Sequence, residues 1–313
     1  MCSSFRNFDL EIILYKSIRG KSLLFRRKLA LGFLALLIIV NAKAQSSSWE
    51  KLNSEGLAYY QSGNLEMSLE LLEKALNQAV KEFGLYDVSY AKACFNLSIL
   101  YEDLGDYSKA EPYCIRAKEL FEIKLGKTDP FYLEALNNLA NLYESTGDYS
   151  KAEQFYNEKL QLDEVAGNKE TQSYASTCNS LGVLYLNQGY YKKAESRLLE
   201  ALEIRAKFEG EASFSYGITC RNLAGLYQSQ GLYSDAEILF IRYRDIVLNI
   251  KGKQSISYAT VCNSLGRLYM VQGNYVKAES MHLEAKEIRE MLMGKNHEDY
   301  AISCISLGVY ISS

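Results

Sequence analysis

The chain has 313 residues, with 35 Lys and Arg against 38 Asp and Glu, so its net charge at neutral pH is −3. A slightly acidic chain argues against nucleic acid and against an anionic membrane as the main partner, because both attract basic surfaces. Length alone would suggest two compact domains, but a repeat that runs through most of the chain overrides that default.

The first 44 residues are predicted to be a secretory signal peptide. A basic cluster spans residues 21–28, a run of twelve apolar or small residues follows over 29–40, and Ala42 and Ala44 have the spacing of a signal-peptidase site. Twelve helical residues rise only about 18 Å, short of a ~30 Å hydrocarbon core, so no stable membrane span is expected. We expect the mature chain to begin at Gln45 and to be exported, to the periplasm or outside the cell, by a bacterial-type route.

Removal of this segment would make the chain clearly acidic. Residues 1–44 contain eight of the 35 Lys and Arg residues and two of the 38 acidic residues, which leaves residues 45–313 with a net charge of −9. This charge favours solubility and a mild attraction of cationic ligands, and it strengthens the argument against nucleic acid.

From residue 49 onward, several residue types recur every 42 residues. A fixed period of this length is typical of repeat architectures. Three columns show it, two of tyrosine and one of glycine: Tyr90, Tyr132, Tyr174, Tyr216, Tyr258 and Tyr300; Tyr101, Tyr143, Tyr185, Tyr227 and Tyr269; Gly63, Gly105, Gly147, Gly189, Gly231 and Gly273.

Each 42-residue row is predicted to form two helices joined by a tight turn. In row four the apolar residues step by three and four from Tyr174 to Tyr185, which is the spacing of one helix face, and Gly189 then interrupts them. A second apolar stripe runs from Tyr191 to Phe208. After the signal peptide, 1–44, we therefore assign residues 45–313 to one array with rows 49–89, 90–131, 132–173, 174–215, 216–257 and 258–299, and a partial seventh over 300–313.

Local signals support this division. Asp106, Asp148 and Asn274 follow turn glycines and are predicted to cap the second helices. Pro112 lies about one turn into a second helix, and Pro130 is expected in a loop between rows. Two columns of small residues should let paired helices approach closely: Ala140, Gly182, Ala224, Gly266 and Gly308; Ala110, Ala152, Ala194, Ala236 and Ala278.

The row resembles the tetratricopeptide repeat (TPR), on the evidence of Leu181-Gly182, Tyr185, Tyr191, Ala194, Leu198 and Ala201. Its 42-residue length is similar to the longer form found in kinesin light chains and in the repeat region of bacterial TPR proteins with a protease-like CHAT domain. The resemblance covers roughly residues 49–313 and implies an all-α fold, a right-handed α-solenoid of stacked antiparallel helix pairs. Row three departs from it with Lys159 in the last alanine column, and row five departs with Tyr243.

Groups that could carry chemistry are explained by the repeat. Of the six cysteines after residue 44, five share one column of the first helix, where neighbours stand about 10 Å apart, too far for the roughly 7 Å of a disulfide. We expect them to be small buried residues. The acidic column, Glu111 to Glu279, recurs in every row, as a helix N-terminal acid would and a catalytic pair would not. The tyrosine columns are predicted to pack between rows, with hydroxyls at the loop edge. No catalytic residue, metal or cofactor is predicted.

One column is a candidate for ligand binding. In the family that the chain resembles, the first helix lines a concave groove, and the position two residues before the leucine column points into it. Asn donates and accepts, so such a column can hold the backbone of an extended peptide. The alternative is a row of solvated surface residues. Asn138 and Asn222, one residue further on, are expected to face elsewhere. The column contains Asn137, Asn179, Arg221 and Asn263, and two further candidate groove residues, Asn141 and Arg267, lie four residues further along the same helices and share that face.

Two functional hypotheses follow. The first is a non-enzymatic scaffold that binds a protein or peptide segment along the groove. The alternative is the regulatory portion of a larger protein, whose CHAT-type or signalling-kinase effector is missing. The seventh row has the apolar residues Ile302, Ile305, Val309, Tyr310 and Ile311, so we expect self-association through the edge at 300–313.

Overall fold

A computed structural model describes residues 47–308 of the chain. The predicted signal peptide, 1–44, and the last five residues of the predicted C-terminal edge lie outside these described residues. All regular secondary structure from 47 to 308 is α-helical. The thirteen helices of this part are α1 Ser48–Gln61, α2 Leu65–Phe83, α3 Val88–Asp103, α4 Tyr107–Leu125, α5 Pro130–Ser145, α6 Tyr149–Val165, α7 Gln172–Asn187, α8 Tyr191–Phe208, α9 Phe214–Ser229, α10 Tyr233–Lys251, α11 Ile256–Val271, α12 Tyr275–Met293 and α13 Glu298–Gly308.

The chain divides into two compact units between Leu100 and Tyr101. In the first unit, α1 packs against α2. Trp49 lies in its core with Ala75, Ala79 and Ala93, and the Trp49 ring meets Phe83 edge-on at 6.4 Å between centroids. This small core joins the first helix of row one to the second helix of that row and to the start of α3.

The second unit is a stack of helix pairs. Within each pair the first helix packs on the second, as α7 does on α8 and α9 on α10, and each second helix also packs on the next first helix. One cluster of buried side chains runs from Cys114 in α4 to Leu226 in α9. Each pair therefore buries the apolar face of its neighbour, which confirms the predicted all-α solenoid of paired helices.

The predicted helix caps are confirmed. The side chains of Asp106, Asp148 and Asn274 each accept a hydrogen bond from the backbone N–H three residues later. The turn glycines before them have φ between 73° and 83°, a conformation that other residues rarely adopt. Pro130 is a correction, because it begins α5 and does not lie in the loop. Asp129 caps that helix, and proline is well suited to the first helical position.

The small-residue columns are explained by close helix approach. A Cβ atom on Gly182 would lie 2.7 Å from Cγ of Leu198, and one on Gly266 would lie 2.7 Å from the ring of His282. Such distances are too short for any real side chain, so these positions exclude even alanine without a shift. The alanines of the facing column are fully buried: Ala110, Ala152, Ala194, Ala236 and Ala278.

Candidate functional site: the first-helix face

The six candidate groove residues lie on four successive first helices of the second unit. Asn137 and Asn141 are on α5, Asn179 on α7, Arg221 on α9, and Asn263 and Arg267 on α11. Five are partly buried and Arg267 is exposed, whereas the leucines two residues after Asn137, Asn179 and Asn263 lie in the core. We call the surface that these six residues form the first-helix face.

Three of these asparagines have their side-chain oxygen engaged inside the protein. Tyr156 donates to Oδ1 of Asn141 at 2.6 Å, and Asn222 Nδ2 donates to Oδ1 of Asn179 at 3.0 Å. In the third case, Oδ1 of Asn263 lies 2.9 Å from Nδ1 of the buried His282. The side-chain oxygens of these three asparagines are thus held inside the protein.

The expectation that Asn222 faces away from the candidate column is wrong. Asn222, in row five, donates a hydrogen bond to Asn179 in the adjacent row four. The same spacing joins Asn96 to Asn53 in the first unit, at 2.7 Å. Asn138 does face elsewhere, since it is buried and donates to Sγ of Cys114. The sequence signal for this bond was the recurrence of two asparagines 43 residues apart, as in Asn179 and Asn222 and in Asn53 and Asn96.

The two arginines carry unmatched positive charge. The guanidinium of Arg221 lies 5.7 Å from the centre of the Tyr243 ring and 3.5 Å from Oδ1 of Asn222. Within residues 47–308, neither Arg221 nor Arg267 lies within ion-pair distance of a carboxylate. This part of the face can therefore attract an anionic group.

A first depression lies between α5, α6 and α7. It encloses about 360 Å³ and we call it the Lys159 pocket, lined by Glu134, Asn137, Lys159, Gln172, Ser173, Ser176 and Thr177. Lys159 is fully buried, and its Nζ lies 2.9 Å from both a carboxylate oxygen of Asp163 and the hydroxyl of Ser173. The departure from the alanine column in row three is therefore a buried ion pair.

A second depression lies between α7, α9, α10 and α11. It encloses about 180 Å³ and we call it the Arg221 pocket, lined by Val183, Leu186, Arg221, Asn222, Gly225, Gln228, Phe240, Ser264 and Arg267. Its floor is apolar, since Phe240 is buried. Two of the predicted groove residues, Arg221 and Arg267, meet in it.

Three titratable groups near the first helices have pKa values shifted by burial. Burial, with help from the Asp103 carboxylate, raises the pKa of Glu102 to about 7. One row further on, burial raises the pKa of Glu144, although a hydrogen bond from Tyr156 opposes the shift. At the other end, burial and then the charges of Arg267 and Arg289 lower the pKa of His282. Burial therefore favours the neutral form of all three groups.

The acidic column has a role that sequence reasoning missed. Tyrosines of the second ladder donate to the glutamate of the preceding row. Each bond joins residues 32 apart, and this constant separation between two columns was the available signal. The pairs are Tyr143 with Glu111 at 2.5 Å, Tyr185 with Glu153 at 2.7 Å, Tyr227 with Glu195 at 3.0 Å and Tyr269 with Glu237 at 2.9 Å.

The cysteine column is buried, as expected. Cys94, Cys178, Cys220 and Cys262 are fully buried, while Cys304 is partly so. Burial raises the pKa of Cys178 and Cys262 to about 12, which keeps the thiols protonated and unreactive. Within the described residues no cluster of His, Cys, Asp and Glu is arranged to hold a metal ion. In the same part of the chain, every helix is too short or too polar to cross a membrane.

Comparisons with known proteins identify the family. Tetratricopeptide repeat models match residues 50–113, 94–164 and 173–249, and a further such model matches 259–299. The chain belongs to the tetratricopeptide repeat family. A comparison with curated proteins gives no match.

Solved structures share the fold. BtubC (BKLC) from P. vanneervenii is 24% identical with a TM-score of 0.61, over 81% of this chain and 95% of that one. A STAND signal-transduction ATPase with a tetratricopeptide repeat sensor, from Pyrococcus horikoshii, has a TM-score of 0.66 at 18% identity, over 96% of this chain and 46% of that one. A Rap protein complexed with Competence and Sporulation Factor has a TM-score of 0.59 at 13% identity, over 86% of this chain and 76% of that one. Structures that include kinesin light chain-like repeats support the longer form of the repeat.

Proposed function

We propose that this protein is a non-enzymatic scaffold that holds an extended protein or peptide segment along the first-helix face. The observation that carries the proposal is the set of internal hydrogen bonds to Asn141, Asn179 and Asn263. With each oxygen held inside the protein, the amide nitrogens of these side chains are the donors that a peptide can use. Successive rows then offer a ladder of donors to the backbone carbonyls of one extended chain.

The rest of the molecule supports binding over catalysis. The recurrent glutamates accept hydrogen bonds from tyrosines, and burial keeps the thiols of Cys178 and Cys262 protonated. These contacts repeat in row after row, as structural contacts do. A protein with a similar fold, a Rap protein, was solved in complex with Competence and Sporulation Factor. This complex supports a binding role for the solenoid of the present chain.

The test starts from a defined probe. Binders to residues 45–313 are selected from a library of random linear peptides displayed on phage, and a selected peptide is then titrated by fluorescence anisotropy. Each lost hydrogen bond contributes about 0.5–1.5 kcal/mol, so Asn179→Ala with Asn263→Ala should weaken binding by about five- to a hundredfold. A matched control, Gln161→Ala with Asn249→Ala, removes two exposed amides from second helices. Equal affinity for the wild type and the groove variant would contradict the proposal.

A second candidate is the sensor portion of a larger signalling protein. The similarity to the STAND protein favours it, because this chain matches only 46% of that one, which carries a repeat sensor beside other domains. Reading the genomic DNA beyond the codon for Ser313 separates the two candidates. An in-frame effector domain, of the CHAT or kinase type, supports the second.

Export and self-association remain parts of the same proposal. Export through cleavage before Gln45 is checked by mass spectrometry of the N-terminus of the mature protein, which should be found in the periplasm or the medium. Self-association through 300–313 is supported by Ile302 and Ile305, which are 41% and 69% exposed. Sedimentation should show a concentration-dependent dimer that Ile302→Ser with Ile305→Ser dissociates, and a strict monomer would contradict it.

A further inference from the structure

Tyr190 stands in a column that other rows of the second unit use to cap a helix. Asp106, Asp148 and Asn274 are the residues of that column in rows two, three and six, and each accepts the hydrogen bond that caps its second helix. The side chain of Tyr190 makes no capping bond to α8. Because a side-chain cap stabilises a helix, row four gives up stability at this position.

The ring of Tyr190 is held at the surface. It meets the buried Tyr185 ring edge-on at 6.4 Å between centroids, and the ammonium of Lys193 lies 5.4 Å from its centre. These contacts orient the ring, yet Tyr190 remains 53% exposed. An aromatic ring that is both oriented and exposed offers a flat contact surface to the apolar part of a ligand.

This ring lies in a depression at the turn edge of rows three and four, away from the first-helix face. The depression encloses about 580 Å³, and we call it the Tyr190 cleft, lined by Tyr149, Ser150, Glu153, Gln188, Tyr190 and Lys193. The volume falls within the roughly 300–1,000 Å³ of a typical small-molecule site. Tyr149, which begins α6, is 39% exposed, so each of the two rows contributes an exposed ring.

The charged groups of the Tyr190 cleft neutralise each other. The ammonium of Lys193 lies 3.4 Å from Oε1 of Glu153 in the preceding row. In rows two and three the lysine of this column pairs instead with the aspartate that caps its own helix. With tyrosine in place of that aspartate, Lys193 pairs with Glu153, and the cleft has no net charge that would select an ion.

The polar groups of the cleft both donate and accept hydrogen bonds. Tyr185 and Lys193 both donate to Oε1 of Glu153, which leaves Oε2 of that carboxylate to accept from a ligand. The hydroxyl of Ser150 and the amide of Gln188 can each donate and accept. A proline-rich segment fits less well, because proline has no N–H to donate to Glu153. The ligand that suits this cleft carries hydroxyl groups beside an apolar face.

We propose that the Tyr190 cleft binds a neutral carbohydrate. Sugars combine the required properties, since the C–H face of a sugar ring is apolar and its hydroxyls both donate and accept. The sugar ring packs on the exposed tyrosine rings, and its hydroxyls bond to Glu153, Gln188 and Ser150. This site is separate from the first-helix face, so the inference goes beyond the proposed function and gives the protein a second ligand.

The experiment probes an array of neutral oligosaccharides with residues 45–313 and titrates the best binder by isothermal titration calorimetry. Tyr190→Asp should weaken binding of that oligosaccharide by about tenfold or more, because a stacking surface is lost. The same variant should keep the Tm at or above that of the wild type, since aspartate caps the helix in rows two and three. Tyr149→Ala removes the other ring and should also weaken binding about tenfold.

Leu232→Asp is the matched control. Leu232 occupies the same column in row five and also leaves its helix without a side-chain cap, so the variant introduces the same cap one row away from the cleft. It should leave oligosaccharide binding unchanged. An equal loss of affinity in Leu232→Asp and Tyr190→Asp would overturn the proposal, because the effect would then come from the cap and not from the ring.

Two further results would overturn the carbohydrate site. One is an array on which no oligosaccharide binds the wild-type chain, or a binder whose affinity neither Tyr190→Asp nor Tyr149→Ala changes. The other is a decaproline peptide that binds the wild type and loses affinity in Tyr190→Asp while no oligosaccharide binds. Neither result bears on the first-helix face, which is tested by the peptides from the phage library.

Discussion

The Lys159 pocket and the Arg221 pocket are built from the same repeat, yet they treat charge in opposite ways. In the first, the ammonium of Lys159 is matched within the fold by Asp163 and Ser173. In the second, Arg221 and Arg267 have no carboxylate within ion-pair distance among the described residues. Charge that the fold itself neutralises holds rows together, and charge that it leaves unmatched is available to a ligand.

Two buried arginines in later rows also link neighbouring helices, but through hydrogen bonds to neutral oxygens and not through a carboxylate. Arg205 donates to the backbone oxygen of Ser215 and to Oγ1 of Thr219, and Arg289 donates to the backbone oxygen of Asp299 at 3.1 Å. Each cation ties a second helix to the start of the next first helix. Substitutions in these regions should change the free energy of unfolding. The expected effects range from several kcal/mol to a small change in its pH dependence.

The largest effect is expected from Lys159→Ala. The substitution leaves the Asp163 carboxylate buried without its partner, which should lower the free energy of unfolding by about 3–5 kcal/mol in chemical denaturation. The double variant Lys159→Ala with Asp163→Ala should recover most of the loss, because alanine already stands at this column in rows two and four. A loss below about 1 kcal/mol in the single variant would show that the pair is not a structural charge.

The next effect distinguishes a glycine that is closely packed, Gly266, from one with open space beside it, Gly225. Gly266→Ala places a methyl against the His282 ring and should destabilise the fold by about 1–3 kcal/mol through overpacking. Gly225→Ala should instead stabilise it by about 0.5–1 kcal/mol. Thermal or urea unfolding of the two variants gives the comparison directly. If Gly225→Ala destabilised the fold as Gly266→Ala does, the space beside Gly225 in the Arg221 pocket would be filled by the protein itself.

A smaller effect is expected where rows meet beside the Arg221 pocket. Tyr227→Phe removes the hydrogen bond to Glu195 and should lower the free energy of unfolding by about 1–2 kcal/mol, because the acceptor is charged. Tyr191→Phe serves as the control, since that side chain lies 37% exposed at the start of α8. An equal loss of unfolding free energy in the two variants would show that the bond between rows does not stabilise the fold.

The smallest effect is the pH dependence carried by His282. Its pKa in the folded protein is lowered below 6.5, so the unfolded chain binds the proton more readily. Its contribution to stability is therefore present above pH 6.5 and is lost as the pH falls below that value. Urea unfolding across this range should show a flatter acid slope for His282→Leu than for the wild type.

The comparison of His282→Leu with the wild type is needed because Glu102 changes the pH dependence of stability in the opposite direction. Its pKa is raised from 4.5 to about 7 in the fold, so the neutral form is favoured there and stability is lost as the pH rises through 7. Wild-type data alone mix the two slopes. If His282→Leu kept the full acid slope of the wild type, His282 would not be the group that titrates.

Much of the fold could be predicted from the sequence because each row repeats the same local rules. Helix spacing, capping by Asp106 and Asp148, and small residues at Gly182 and Gly266 all depend on short-range geometry. The candidate asparagines were found in the same way, from a column and a family resemblance.

What the sequence could not give depends on contacts across rows. The bond from Asn222 to Asn179 and the bond from Lys159 to Ser173 arise where side chains of different helices meet. The opposite surroundings of Gly225 and Gly266 show this most clearly, since both are helix-interior glycines in adjacent rows. Only the packing shows that Gly225 has open space beside it and that Gly266 does not.

The most direct test is a crystal structure of residues 45–313 with a peptide selected from the random library. The account predicts an extended peptide along α5, α7, α9 and α11, with its carbonyls accepting from Asn179 and Asn263. A peptide bound to the second helices, or one that leaves the first-helix face empty, would contradict the account.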